Sequence, residues 1–322
     1  MFGDNSCAKS CDETHIMKLL NKIMEAKKKF VAISASLVIL TFSDLWISRA
    51  YTHELWLEPK KFHLNTNEML EVNIKLGEKL QGATLPFLPA SFEEFYWIQN
   101  GDKKLIKSRL GDRPAFSAPV SEDGLISIIY VSKVSTLRYQ TFEKFEKFAQ
   151  SKDLGPVRQL HVEHGFSENQ FSEIYSRFAK AIVSVGSGLG KDRSFGLTTE
   201  FILLNNPYEN KNENFVELKL LYEGTPRSNA QIEIFERSDD GNVKITTTKT
   251  LSNGIAEVPI KPGSEYLFNA VKLRRAEANA PRNAVWETLW ASLMVKIPLS
   301  LIHISEPTRQ AEISYAVFWV KK

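Results

Sequence analysis

Met69-Leu70-Glu71-Val72-Asn73-Ile74-Lys75-Leu76 alternates apolar and polar side chains without a break. At a period of two, Leu70, Val72, Ile74 and Leu76 fall on one face of an extended strand and the polar residues on the other. Phe215-Val216-Glu217-Leu218-Lys219-Leu220 repeats the pattern. Between such runs stand turn formers: Asn100-Gly101 after Phe95–Ile98, Asp123-Gly124 before Leu125–Val131, and Gly224-Thr225-Pro226 ahead of Ala230–Ile234. Asp239-Asp240-Gly241-Asn242 and Ser252-Asn253-Gly254 are hairpin signals, and Lys261-Pro262-Gly263 turns the chain into Tyr266–Val271. Turns about every ten residues predict antiparallel sandwiches, not a parallel sheet with crossover helices.

Between Gln140 and Gly186 the period changes. Phe142, Phe145 and Phe148 line one side of a first predicted helix. Ser167 and Gln170 make a capping box ahead of Phe171, Ile174, Tyr175, Phe178 and Ile182, which share a second helical face, with Glu173 and Arg177 as an i,i+4 ion pair. Gly186 stops this second helix. The expected organisation is an N-terminal β-sandwich over 51–138, a helical insert and connector over 139–195, and a C-terminal sandwich over 196–298. Gly186-Ser187-Gly188-Leu189-Gly190-Lys191-Asp192 is not a phosphate loop. Its spacing is short by one, Asp192 stands where a magnesium-binding Ser/Thr belongs, and a helix is predicted where a strand must precede. It is expected to be a flexible connector.

Ahead of these elements, Lys27-Lys28-Lys29 and the apolar run Phe30–Phe42 form a basic region and a short hydrophobic one, well below the ~20 residues of a spanning helix. Ser48-Arg49-Ala50 places small side chains three residues and one residue before a cut, so 24–50 reads as a signal peptide and Tyr51 as the mature start. The competing reading is an uncleaved anchor lengthened by Leu45, Trp46 and Ile47, which Asp44 interrupts. Residues 1–23 read as an upstream extension, with translation from Met17 or Met24. They hold both cysteines, Cys7 and Cys11, either a metal or redox pair or the product of a mis-set start codon. Without them the mature chain tolerates an oxidising compartment and uses no disulfide. Removing residues 1–50 (seven basic, five acidic) and 299–322 (three basic, two acidic) from 41 Lys+Arg and 38 Asp+Glu leaves 31 of each. That balance gives no electrostatic argument for nucleic acid or an anionic membrane as partner.

His53-Glu54-Leu55-Trp56-Leu57-Glu58-Pro59 directly after a leader resembles the start of the bacterial domain-of-unknown-function family 4198, whose members have at times been labelled periplasmic nickel-uptake proteins. Tyr175-Ser176-Arg177-Phe178-Ala179-Lys180, Gly196-Leu197, Glu200, Asn206-Pro207-Tyr208 and Trp286-Glu287-Thr288-Leu289-Trp290-Ala291-Ser292-Leu293 continue the resemblance, in order, over about residues 53 to 298. Gly224-x-Pro226, Ala230, Asn253-Gly254 and Pro262-Gly263 are similar to transthyretin-like, carboxypeptidase-regulatory Ig-like modules, which usually hold other things in position and seldom carry chemistry. The implied fold is mainly β, two antiparallel β-sandwich (Ig-like) domains with a helical insert between them. The resemblance also implies a chain that finishes near Ile297-Pro298. Residues 299–309 depart from it and resemble the in-frame translation of a transposase adapter used in short-read sequencing, and Ile313–Phe318 the far end of that adapter. Residues 299–322 are therefore expected to be an assembly artefact, an idea that finding this stretch intact in source DNA would defeat.

Setting aside His15 and His303 leaves His53, His63, His161 and His164. Cleavage after Ala50 makes the mature chain begin X-X-His, so that the new amine, two deprotonated amides and the His53 imidazole can surround Cu(II) or Ni(II) in a square plane. Cleavage directly before His53 gives an amine-plus-imidazole clamp instead, and the competing reading is that His53 merely opens the first strand. His161-Val-Glu-His164 has the i,i+3 spacing of one helix face, with Glu163 beside it as an oxygen ligand; the alternative is a solvent-exposed His pair. His63 lies near the N-terminus in sequence and is a candidate extra ligand. Arg177 and Lys180 read either as an anion site or as solvated helix charges paired with nearby carboxylates. Trp97, Trp286 and Trp290 read either as a sugar-stacking platform or as core. There is no Gly-x-Ser-x-Gly elbow, no His-Glu-x-x-His helix and no cysteine nucleophile in the mature region. The expectation is a non-enzymatic periplasmic or secreted protein that binds nickel or copper, without organic cofactor or nucleic acid, and serves a membrane uptake system. The alternative is a secreted interaction or carbohydrate-binding module.

Overall fold

The computed structural model describes residues 53–209 and 214–299. The leader, both cysteines, Tyr51, Thr52 and residues 300–322 lie outside the described residues. The chain divides into two units, Met1–His53 and Glu54–Lys322, and of the first only His53 is described. In chain order the second unit forms β1 (Glu54–Pro59), β2 (His63–Leu64), β3 (Met69–Glu78), β4 (Gln81–Leu85), β5 (Phe92–Gln99), β6 (Asp102–Leu105), β7 (Phe116–Pro119), β8 (Gly124–Ser132) and β9 (Ser135–Thr141). Two helices follow, α1 (Phe142–Ser151) and α2 (Val157–Glu163). The rest is strand: β10 (Asn169–Val185), β11 (Thr199–Leu203), β12 (Phe215–Tyr222), β13 (Thr225–Pro226), β14 (Gln231–Arg237), β15 (Val243–Lys249), β16 (Ile255–Pro259), β17 (Glu265–Arg275) and β18 (Ala284–Lys296).

The fold is mainly β, as the alternation predicts, and its strands make three sheets. A ten-stranded sheet in the order β15-β14-β17-β18-β10-β8-β5-β6, with β2 and β9 also on β10, lies between two four-stranded ones. Because side chains alternate faces along a strand, each strand of the large sheet feeds two cores. Ala179, Ala181, Val183, Leu267 and Met294 pack with Trp56, Leu57, Val72 and Ile74 of the β1-β3-β4-β7 sheet. On the opposite face Ile182, Phe268, Ala270, Ala291, Leu293 and Val295 pack with Phe201, Leu203, Val216, Leu218 and Val258 of the β11-β12-β13-β16 sheet. Farther along the first face, Phe142, Phe145 and Phe148 of α1 cover Val271, Trp286 and Trp290, as their three-residue spacing predicts.

The capping-box helix does not form. Residues Asn169–Val185 are a 17-residue strand at the centre of the large sheet, and Ser167 closes a local turn through Asn169 instead of capping a helix. The strand is antiparallel to β9 and β8 and parallel to β18, so the sheet is mixed. Its two faces are both buried, Phe178 and Ile182 on one face, each in its own cluster, and Ala179, Ala181 and Val183 on the other. A strand buried on both sides loses its period-two signature and reads as a continuous apolar run, which a helix explains equally well. Glu173 and Arg177 stand about 13 Å apart along such a strand, too far for the predicted i,i+4 pair.

The same strand erases the expected domain boundaries. β5, β6 and β8 from the first half and β14, β15, β17 and β18 from the second share one sheet through β10. Ser252–Gly254 and Lys261–Gly263 are turns, yet each carries the chain between sheets instead of closing a hairpin, since β16 pairs with β12 while β15 and β17 pair with β14. Gly77 lies within β3. It pairs with Gly82 across the β3–β4 hairpin, where a Cβ on Gly77 would lie 2.0 Å from the Gln81 carbonyl oxygen. Gly186 does follow a strand, but no helix follows it, so the phosphate-loop reading still fails.

Candidate functional site

His161, Glu163 and His164 do not form a ligand set. His161 points inward from α2, fully buried among Phe142, Phe166 and Phe171. The Trp286 indole N–H donates to its Nδ1 at 3.0 Å. An indole can only donate, so the proton of the neutral ring is on Nε2, which lies 3.0 Å from the Ser167 carbonyl oxygen. Both ring nitrogens are thereby engaged. Glu163, on the exposed side of the helix, accepts from the Gln159 amide at 2.7 Å, and His164 is exposed at the helix end with its ring against Phe166. The i,i+3 spacing is real, but one histidine belongs to the core and the other to the surface. No group of three or more His, Cys, Asp or Glu side chains among the described residues is placed to hold a metal ion.

His53 is half-buried and immediately precedes β1, whose ladder with β3 opens at Glu54↔Gly77. Glu54 is fixed by burial and by Lys152, whose Nζ lies 3.2 Å from it and 2.7 Å from Glu233. Burial raises the Glu54 carboxyl above its ordinary range and outweighs the opposing charge of Lys152. His63 sits on β2 with Nδ1 2.8 Å from the Ser184 hydroxyl, which itself lies 3.2 Å from the Phe62 carbonyl oxygen. If the hydroxyl donates to that carbonyl, His63 donates through Nδ1 and keeps Nε2 as an acceptor. The ring borders a cavity of about 350 Å³ shared with Tyr208, Asp239, Lys296 and Ile297.

The described tryptophans Trp56, Trp97, Trp286 and Trp290 are 0%, 7%, 2% and 5% exposed, so none offers a face for sugar stacking. Lys180 is likewise no solvated charge. Its Nζ is buried 3.1 Å from Asp192 and 3.9 Å from Glu200, and it donates to the Phe201 carbonyl at 2.7 Å. The residue that displaced the magnesium-binding Ser/Thr in the connector is thus one half of a buried ion pair. Arg177 lays its guanidinium 4.5 Å from the ring centre of Tyr175. A further buried carboxyl, Glu173, accepts from Tyr139 at 2.8 Å and from Thr288, and burial pushes it up to about 7. The Lys180 and Glu173 networks follow no local spacing, because Asp192, Glu200 and Phe201 on one side and Tyr139 and Thr288 on the other come from other segments of the chain.

Layered sheets with interior ion pairs and two short helices among the described residues define a β-sandwich protein. No helix among the described residues is long and apolar enough to cross a membrane. The chain belongs to the family described as Domain of unknown function (DUF4198), whose model matches residues 50–273. The closing Trp286–Leu293 motif lies beyond the matched range. No curated protein matches the chain. Among solved structures, a tetra-tandem repeat in the extending region of a large adhesion protein is similar at 12% identity and a TM-score of 0.20, over 76% of this chain and 50% of that one. The chain thus spans half the length of that structure, and a score this low carries no argument.

Proposed function

We propose that this is an exported, non-catalytic protein that takes up Ni(II) or Cu(II) at a processed N-terminus and presents it to a membrane uptake system. The observation that carries the reading is the position of His53. The first ladder pair among the described residues is Glu54↔Gly77, so His53 stands ahead of that pair and chelation through it need not draw on the ladder. The basic-then-apolar leader ending Ser48-Arg49-Ala50 supports release of an amine two residues before that imidazole. Deprotonated amides and imidazole suit the square-planar preference of both ions. The choice of nickel follows the label that members of the resembled family have at times carried. His161, Glu163 and His164 have no part in the site, since the imidazole that would lead it is occupied in the core. Isothermal titration of the cleaved protein with Ni(II) and Cu(II), beside His53→Ala, tests the reading: the variant loses tight binding. Equal affinity in the variant removes His53 from the site and the proposal with it.

A further inference from the structure

A cleft of about 450 Å³ opens where β14 parts from β17. The β14–β17 ladder runs only from Arg237↔Glu265 to Glu233↔Asn269, and β17 continues past it to Arg275. Arg227 fills the place of the missing strand, its Nη2 donating to the Val271 carbonyl at 2.9 Å. Its Nη1 is buried and has no hydrogen-bond partner among the described residues. Lys272, the next residue on β17, lines the same cleft with its Nζ 5.6 Å from the ring centre of Tyr222.

Among the described residues neither cation makes an ion pair with a carboxylate. Of the nearby acids, Asp153 is 2.6 Å from Lys249 and Glu223 is 2.9 Å from Arg274, while Lys152 at the rim is taken by Glu54 and Glu233. Burial lowers the Arg227 guanidinium to about 10, and burial together with the charge of Arg227 lowers Lys272. Two partly buried like charges lining one cleft are costly, and a partner of opposite sign relieves both. Ser228, Asn229 and Gln231 add polar lining, and the volume suits a small molecule.

We infer that this cleft binds a small anion, a carboxylate or phosphate group seated between Arg227 and Lys272. The inference does not rest on the proposed chelating end. The test is calorimetric titration of the full chain at low ionic strength with inorganic phosphate and, separately, with succinate, beside Arg227→Gln and Lys272→Gln. Saturable one-to-one binding of either anion is expected, weakened at least about tenfold in each variant, the loss that follows from removing one charge-assisted contact. The anion that binds more tightly identifies the group. Thermal melting checks that the variants fold, and should Arg227→Gln not fold, Lys272→Gln decides alone. No saturable binding of either anion, or binding unchanged in the folded variants, overturns the inference.

Discussion

Replacing Glu173 by Gln should remove most of a pH dependence built into the core. The carboxyl lies between β9, β10 and β18, 3% exposed, with Tyr139 and Thr288 donating to it. Those donors favour the carboxylate, yet desolvation wins and the folded group titrates at about 7 against 4.5 for the free side chain. The folded value is the higher one. Below the unfolded value both states hold the proton and the contribution to stability is fully present. As pH rises from about 4.5 to about 7 the unfolded chain releases a proton that the folded chain keeps, and stability falls by about 3 kcal/mol, then levels off. Gln keeps an acceptor for one of the two hydroxyls and cannot ionise. Urea unfolding of both proteins between about pH 5 and about pH 8 reads the effect as the difference of two curves, which cancels the other titrating groups. The wild type should lose about 2.5 kcal/mol relative to Glu173→Gln across that window, part of the full loss having already occurred by about pH 5. Parallel curves, with a difference constant to within about 0.5 kcal/mol, would refute the reasoning.

His161→Gln should cost about 2–4 kcal/mol of stability, since the Trp286 indole and the Ser167 carbonyl both lose their partner, while Ni(II) and Cu(II) affinity stays unchanged. Denaturant melts and metal titration check the two halves separately. Lys180→Met should destabilise by about 3–5 kcal/mol, because Asp192 and Glu200 are left buried without their cation. Calorimetric melting reads this loss, and a change under about 1 kcal/mol would mean that the pair is not desolvated.

The legible parts of the fold are its half-solvated strands and α1. In β3, Leu70, Val72 and Ile74 are buried while the residues between them are partly exposed, so burial and polarity alternate together. The phenylalanines of α1 behave the same way at helical spacing. β10 was illegible for the converse reason: with a sheet on each face, the sequence carries no contrast between inside and outside. A helix in its place would split one sheet into two domains. At the site, spacing showed that His161 and His164 lie near one another but not that one points into the core, a direction set by Trp286, 125 residues away. Lys152 meets Glu54 across 98 residues, a separation at which no local pattern is available. Arg227 and Lys272 carry no local sequence signal, because what marks them is the lack of an ion-pair partner among the described residues, which only packing reveals.

The central claim is that the chelating end exists only when the chain begins two residues before His53. Electron paramagnetic resonance of Cu(II) added to the protein beginning at Tyr51, and to the same protein with one extra residue ahead of Tyr51, tests it most directly. The account predicts a four-nitrogen square-planar signal in the first protein and its loss or replacement in the second, where His53 has moved from third to fourth position. The same signal in both, or its survival in His53→Ala, would contradict it.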